Sequence, residues 1–123
     1  MEKFKKVIIK IGIIVLTLIA IKQIIPSLKL DGYSGLVWNA ILLTDDTVYS
    51  ENYTGRKFLE IKTGMTKEQV YKILGKPISI FSPKENIISL QYSTSPKDTH
   101  YRIRQVYTRK NKVVDIISYF YVD

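Results

Sequence analysis

Two patterns of apolar positions divide the chain. The first is an almost continuous block. After the basic lead Met1-Glu2-Lys3-Phe4-Lys5-Lys6, residues Val7 to Ile25 are apolar except for Lys10, Thr17, Lys22 and Gln23. The charge-free run Ile11 to Ile21 has the length of a signal-peptide core. Lys10 and Lys22 sit near the ends of a longer stretch, where their stems can snorkel to the two membrane interfaces. No small-x-small cleavage motif follows in Ile24-Ile25-Pro26-Ser27-Leu28-Lys29-Leu30. An uncleaved signal anchor over residues 1–30 is therefore favoured over a cleaved signal or a buried soluble helix. Lys3, Lys5, Lys6 and Lys10 precede the apolar centre and only Lys22 and Lys29 follow it, so the N-terminus is expected in the cytoplasm. This makes a single pass through the cytoplasmic membrane, with the rest of the chain on the periplasmic or extracellular side.

The second pattern is a series of short amphipathic segments beyond residue 46. Tyr53 to Lys62 reads as a short helix, with Phe58 and Ile61 on one face and Gly64 as its stop. Thr66 and Gln69 spell a capping box, and Met65 with Val70 forms a hydrophobic staple. Val70, Ile73 and Leu74 give this second helix one apolar face, and Gly75 followed by Pro77 ends it. Three strand candidates come next. Ile87 to Tyr92 alternates, with Ile88, Leu90 and Tyr92 on one side. Tyr101 to Tyr107 alternates imperfectly, and a bulge near Gln105 would bring both Ile103 and Val106 inward. Val113 to Val122 is rich in β-branched and aromatic residues, and Arg109 to Lys112 is a hairpin turn in which Asn111 tolerates positive φ. The expected fold is α+β: two short helices packed on a three-stranded antiparallel sheet, over residues 47–123. Between anchor and domain, residues 31–46 read as a linker. Asp31 to Gly35 is turn-rich, and the apolar run Leu36 to Leu43 fits a strand, a short helix or an interfacial segment, with Trp38 either at the membrane surface or packed on the domain.

Charge adds one correction to this picture. The net charge is +8, but residues 1–30 hold six Lys and one Glu and so carry +5 of it. The remaining +3 is spread over thirteen basic and ten acidic residues, which is no basic stripe for nucleic acid. There is no cysteine, so disulfides, zinc–thiolate sites, a thiol nucleophile and a lipidated N-terminal cysteine are all excluded. His100 is the single histidine, and the sequence pattern spells no triad or metal-ligand set around it. Asp45-Asp46 lacks the glycine-bearing loop of a calcium site, and Gly64 to Lys76 lacks the lysine and hydroxyl of a phosphate loop. Asn52-Tyr53-Thr54 matches a glycosylation sequon, a short motif that recurs by chance. No enzyme, cofactor, metal or small-molecule substrate is indicated.

Phe58-Leu59-Glu60-Ile61-Lys62-Thr63-Gly64-Met65-Thr66, then Val70, then Leu74-Gly75-Lys76-Pro77, resembles the signature of the SmpA/OmlA (BamE-like) domain. Tyr92, Tyr101 to Tyr107 and Lys112 to Ile116 fit its downstream pattern, and the resemblance covers roughly Thr47 to Asp123. It implies the same helix–helix–three-strand fold, which is similar to the β-lactamase-inhibitor-protein repeat. It also implies a non-enzymatic scaffold or adaptor in envelope assembly, because SmpA/OmlA proteins are accessory subunits of the machinery that inserts β-barrels into the outer membrane. The lipidated cysteine that fixes the location of those proteins is missing here. The alternative is an inhibitor or immunity-type protein that blocks an enzyme with one sheet face. In either case the partners are a protein and, through the N-terminal helix, the lipid bilayer.

Two helices with one apolar stripe each can cover only one face of a small sheet. With Val114, Ile116 and Phe120 on the covered side of the last strand, Tyr119 and Tyr121 face out, together with Ile117. With Ile103 inward on the neighbouring strand, Arg102 and Arg104 face out beside them. Exposed tyrosine with arginine is the composition enriched at protein interfaces, so these four residues are the candidate binding site. A merely solvated face with cation–π pairs has the same composition.

Overall fold

The structure, a computed structural model, describes residues 1–41 and 45–122. Leu42 and Leu43, the end of the apolar run read from the sequence, lie outside the described residues, as does Asp123. The first element, α1, runs from Glu2 to Ile41 and breaks at Gly32, whose φ of 70° and ψ of −175° are non-helical. Its most apolar window has a mean hydropathy of 2.3 and no buried residue, and it is long and apolar enough to cross a membrane. Residues 31–41, read as turn and apolar run, are therefore helical on either side of one kinked residue. Glycine has no Cβ to oppose the positive φ that the kink requires.

The helix cap at Thr66 forms as the sequence indicates. The second element, the short strand β1 (Val48–Tyr49), is followed by one helical turn, α2 (Gly55–Phe58), capped by Thr54. The helix expected over Tyr53 to Lys62 is only this turn, yet Phe58 and Ile61 are both buried as their spacing suggests. The next helix, α3 (Lys67–Leu74), opens on a complete capping box: Gln69 N donates to Thr66 Oγ1 at 3.2 Å and Thr66 N donates to Gln69 Oε1 at 2.9 Å. Gly75 ends it at φ 76°.

The sheet has four strands, not three. The sequence reading missed β2 (Ser79–Lys84), which pairs antiparallel with β3 (Ile87–Gln91). The strand order is β2-β3-β5-β6, with β5 spanning Tyr101–Arg109 and β6 spanning Lys112–Tyr121. A separate two-stranded ribbon joins β1 to β4 (Ser93–Thr94). Ser79-Ile80-Phe81-Ser82-Pro83-Lys84 was hidden because a proline demotes a strand pattern and because all six residues are exposed, leaving no alternation. The turn between β5 and β6 places both Lys110 and Asn111 at positive φ, as a two-residue type I′ hairpin needs.

The core is formed by α2, α3 and one face of the sheet. Val70, Leu74, Leu90, Tyr92 and Val106 are fully buried, joined by Phe58, Ile61 and Val113. Leu30 from α1 belongs to the same cluster, so the chain just past the apolar block is part of the folded domain. The Tyr92 hydroxyl donates to the Gly75 carbonyl at 2.9 Å and ties the end of α3 to the sheet.

Register decides which residues face that core, and here the expected bulge is misplaced. No irregularity lies between Ile103 and Val106. The slip comes between Tyr107 and Thr108, which pair with Asp115 and Val113, leaving Val114 as the extra residue. Ile103 and Val106 therefore lie on opposite faces. Arg102 pairs with Phe120, Arg104 with Ser118 and Val106 with Ile116, so both arginines are on the covered side. The bulge brings Val113 inward and leaves Val114 exposed.

Candidate functional site

Two surfaces follow from this register. On the covered side, β5 and β6 receive the kinked part of α1. The break at Gly32 removes the helical donor from nearby carbonyls. Two residues before it, the Leu30 carbonyl accepts a hydrogen bond from Ser118 Oγ on β6. Asp31 follows, its side chain 9% exposed, and its Oδ1 lies 2.8 Å from Arg104 Nη2. The Arg104 side chain is 1% exposed and also donates from Nε to Tyr53 Oη at 2.9 Å and from Nη1 to the Ile103 carbonyl at 2.8 Å.

Arg102 extends the cluster outward. Its Nη2 donates to Asn39 Oδ1 at 2.7 Å, and its Nε lies 3.6 Å from Asp31 and 3.5 Å from Asp45. Burial works to lower its pKa, but the hydrogen bond and charge of Tyr49, with the charges of Asp45 and Asp31, outweigh it and the net shift is upward. Burial raises the Tyr53 hydroxyl above the usual tyrosine range, against the pull of Arg104. The Tyr53 ring stacks on Tyr49 at 4.4 Å. A cleft of about 310 Å³ opens beside these groups, lined by Ser27, Asp31, Tyr49, Tyr53, Arg102 and Arg104 among others. In this arrangement each charge is met by a charge or hydrogen bond from the chain itself. It clasps the domain to its N-terminal helix. A larger cleft, about 590 Å³, lies between α1 and α2 and has Ile19, Lys22, Gln23, Pro26, Arg56 and Leu59 around it. The domain thus stands beside the last apolar turns of α1.

The two aspartates considered as a cation site are engaged within the chain. Asp45 accepts from Thr47 N at 3.0 Å. Asp46 accepts from Ser95 Oγ at 2.7 Å and Lys97 N at 2.9 Å, and the Ser95 bond leads in holding its carboxyl below the usual range. Both therefore organise the approach to β5.

On the opposite side the sheet carries no helix among the described residues. Pairing aligns Tyr101 with Tyr121, Ile103 with Tyr119 and Gln105 with Ile117 on this face. Tyr119 is 45% exposed and Tyr121 40% exposed. The Tyr101 and Tyr121 rings meet edge to face at 5.9 Å. Ile103 is buried on this open face, outside the main core, with Tyr119 opposite it in register.

The four residues expected to form one binding site are thus divided. Tyr119 and Tyr121 face out. Arg104 is buried in the clasp and Arg102 is half-buried at its margin, both on the other side of the sheet. The bulge expected near Gln105 would turn Ile103 inward, but β5 is regular there and Ile103 lies on the open face. Asp31 is the partner the sequence reading missed. A clue existed: an acidic residue within six positions of a membrane-type helix, in a chain whose following strand alternates arginine with apolar residues. A family model described as the outer membrane protein assembly factor BamE domain matches residues 54–117. No curated protein matches the chain.

Proposed function

The chain belongs to the BamE domain family, and from that premise we propose that it is a non-enzymatic envelope-assembly protein held in the cytoplasmic membrane by α1. Its domain would stand on the outer face and bind a protein partner. BamE domains belong to a non-catalytic assembly factor, which supports an adaptor role. The observation that carries the anchored reading is the seating of Leu30 and Asp31 in the domain directly after an exposed apolar helix. A helix whose continuation is built into the core holds its domain at a fixed place against the bilayer, which a flexible tether does not.

The partner surface we assign is the open face of β5 and β6, with Tyr119 and Tyr121 as its exposed aromatic members and Tyr101 and Ile103 beside them. Large aromatic side chains with a polar handle are enriched at interface centres. Protease added to spheroplasts should remove the domain and spare about the first 25 residues, the length of one span. A mature protein that begins after Ile25 would overturn the anchor. Tyr119→Ala with Tyr121→Ala should abolish recovery of a co-purifying partner while circular dichroism stays unchanged, and recovery equal to wild type would reject the surface.

A further inference from the structure

The two edges of the main sheet are treated differently. At β6 the chain is hemmed from outside: Gly64 N donates to the Val113 carbonyl at 2.8 Å, Val113 N donates to the Met65 carbonyl at 2.7 Å, and Thr66 bridges Lys112. The α1 helix packs against the same strand. At β2 nothing comparable occurs among the described residues, and all six residues of the strand are exposed. The apolar side chains there are large. Ile80 is 51% and Phe81 40% exposed, with Ile78 and Ile88 similarly uncovered beside them.

We propose that the outer edge of β2 is a docking site for an extended apolar segment of a partner protein, which joins the sheet as a fifth strand. The unpaired main-chain donors and acceptors of an edge strand match another extended backbone; a helix has spent its own, and a lipid chain has none. The side chains fit the same occupant. Ile80 pairs with Leu90 and so lies on the helix side, whereas Phe81 pairs with Ser89 and lies on the open side. An added strand meets an apolar residue on each face, as cross-strand pairing favours.

The usable length is limited. Pro83 has no N–H, Lys84 places a charge on the edge, and the register with β3 slips between Phe81 and Lys84. This leaves Ile78 to Ser82, about 17 Å of edge at 3.4 Å per residue. The site is distinct from the tyrosine face and does not depend on where α1 resides.

The test uses the full chain in nanodiscs, with amide hydrogen exchange as readout. The probe is a capped hexapeptide of alternating threonine and valine, made also in a form N-methylated at every amide. At ten times Kd the peptide should slow exchange at β2 about tenfold, since the free edge is then about elevenfold less populated. The methylated form should not bind, because a strand without N–H groups on either edge cannot complete the pairing with β2. Ile80→Lys with Phe81→Lys should weaken binding about tenfold with the circular dichroism spectrum unchanged. Several results would overturn the proposal. These are equal binding by the methylated and unmethylated peptides, protection at Tyr119 and Tyr121 or at α1 in place of β2, and no protection at about 1 mM peptide. Edge amides of β2 already protected in the free chain would also reject it, because a second copy would then hold the edge.

Discussion

Removing Arg104 tests whether the clasp holds α1 to the domain. Arg104→Met keeps the length of the side chain and deletes its charge, its hydrogen bond to Tyr53 and its 2.8 Å contact with Asp31. Asp31 is then a buried carboxylate without its closest counter-charge. Breaking a buried pair from one side costs about 3–5 kcal/mol. Arg102, 3.6 Å away, still faces Asp31 and places the expected loss at the lower end, about 3 kcal/mol. A domain of this size has about 4–12 kcal/mol in total, so the loss is a large part of its stability. Asp31→Leu alone should cost a similar amount, because it leaves Arg104 buried and unpaired. The double variant, Arg104→Met with Asp31→Leu, should recover most of the loss, since an apolar pair of matching volume replaces both charges. Urea unfolding in detergent micelles, followed by Trp38 fluorescence, measures this directly. Trp38 is the sole tryptophan and lies on α1 just beyond the kink, so its signal reports the docking of that segment. Circular dichroism alone would be dominated by the micelle-bound helix. The reasoning fails if either single variant lies within about 1 kcal/mol of wild type, or if the double variant is less stable than both singles.

Three further outcomes follow from the same geometry. Thr66→Ala should cost about 1 kcal/mol by removing one half of the capping box, read as a shift in the urea midpoint. Gly75→Val should cost more than that, because φ is 76° and a Cβ there would come within 3.0 Å of Asn52; an equal or smaller shift in the same assay would contradict it. Burial raises the pKa of Tyr92, with Tyr71 adding to it, and burial also raises Tyr53 and Tyr101. A raised folded-state pKa gives stability that is complete below the unfolded tyrosine value of about 10 and is lost as pH rises above it. Alkaline titration at the tyrosinate absorbance should therefore show Tyr92 ionising only together with unfolding, and Tyr92→Phe should remove that coupled step.

Local chemistry was legible where it acts over a few residues. The capping box at Thr66, the stop at Gly75, the positive φ at Asn111 and the apolar stripe of Val70 and Leu74 each depend on neighbours in sequence. The family signature lies in the same stretch, which is why it could be recognised there. The strand β2 was not legible. An edge strand with both faces exposed has no alternation, and its pairing energy comes from β3, which follows it. The kinked continuation of α1 was obscured because glycine and aspartate signal turns in isolation, whereas contact with β5 and β6 keeps the flanking residues helical.

The candidate site shows where local reading ends. Arg104, expected from the sequence at the binding surface, has a side chain 1% exposed against Asp31, so a charge reversal there perturbs folding. The sequence by itself determined an apolar membrane-type helix, a basic lead, the helix caps, the α+β class and the absence of thiol chemistry. Tertiary structure alone decided the faces of Arg102, Ile103 and Arg104 on β5 and of Val113 and Val114 on β6, whereas Ile116, Tyr119, Phe120 and Tyr121 face as their alternation suggests. The choice turned on where the one slip falls: β5 runs regular from Tyr101 to Tyr107, and the extra residue is Val114 on β6. A strand has period two, so the position of one bulge exchanges inside for outside. No feature of Tyr101 to Tyr107 says where the bulge falls, because it is set by how β6 meets Gly64, Met65 and α1.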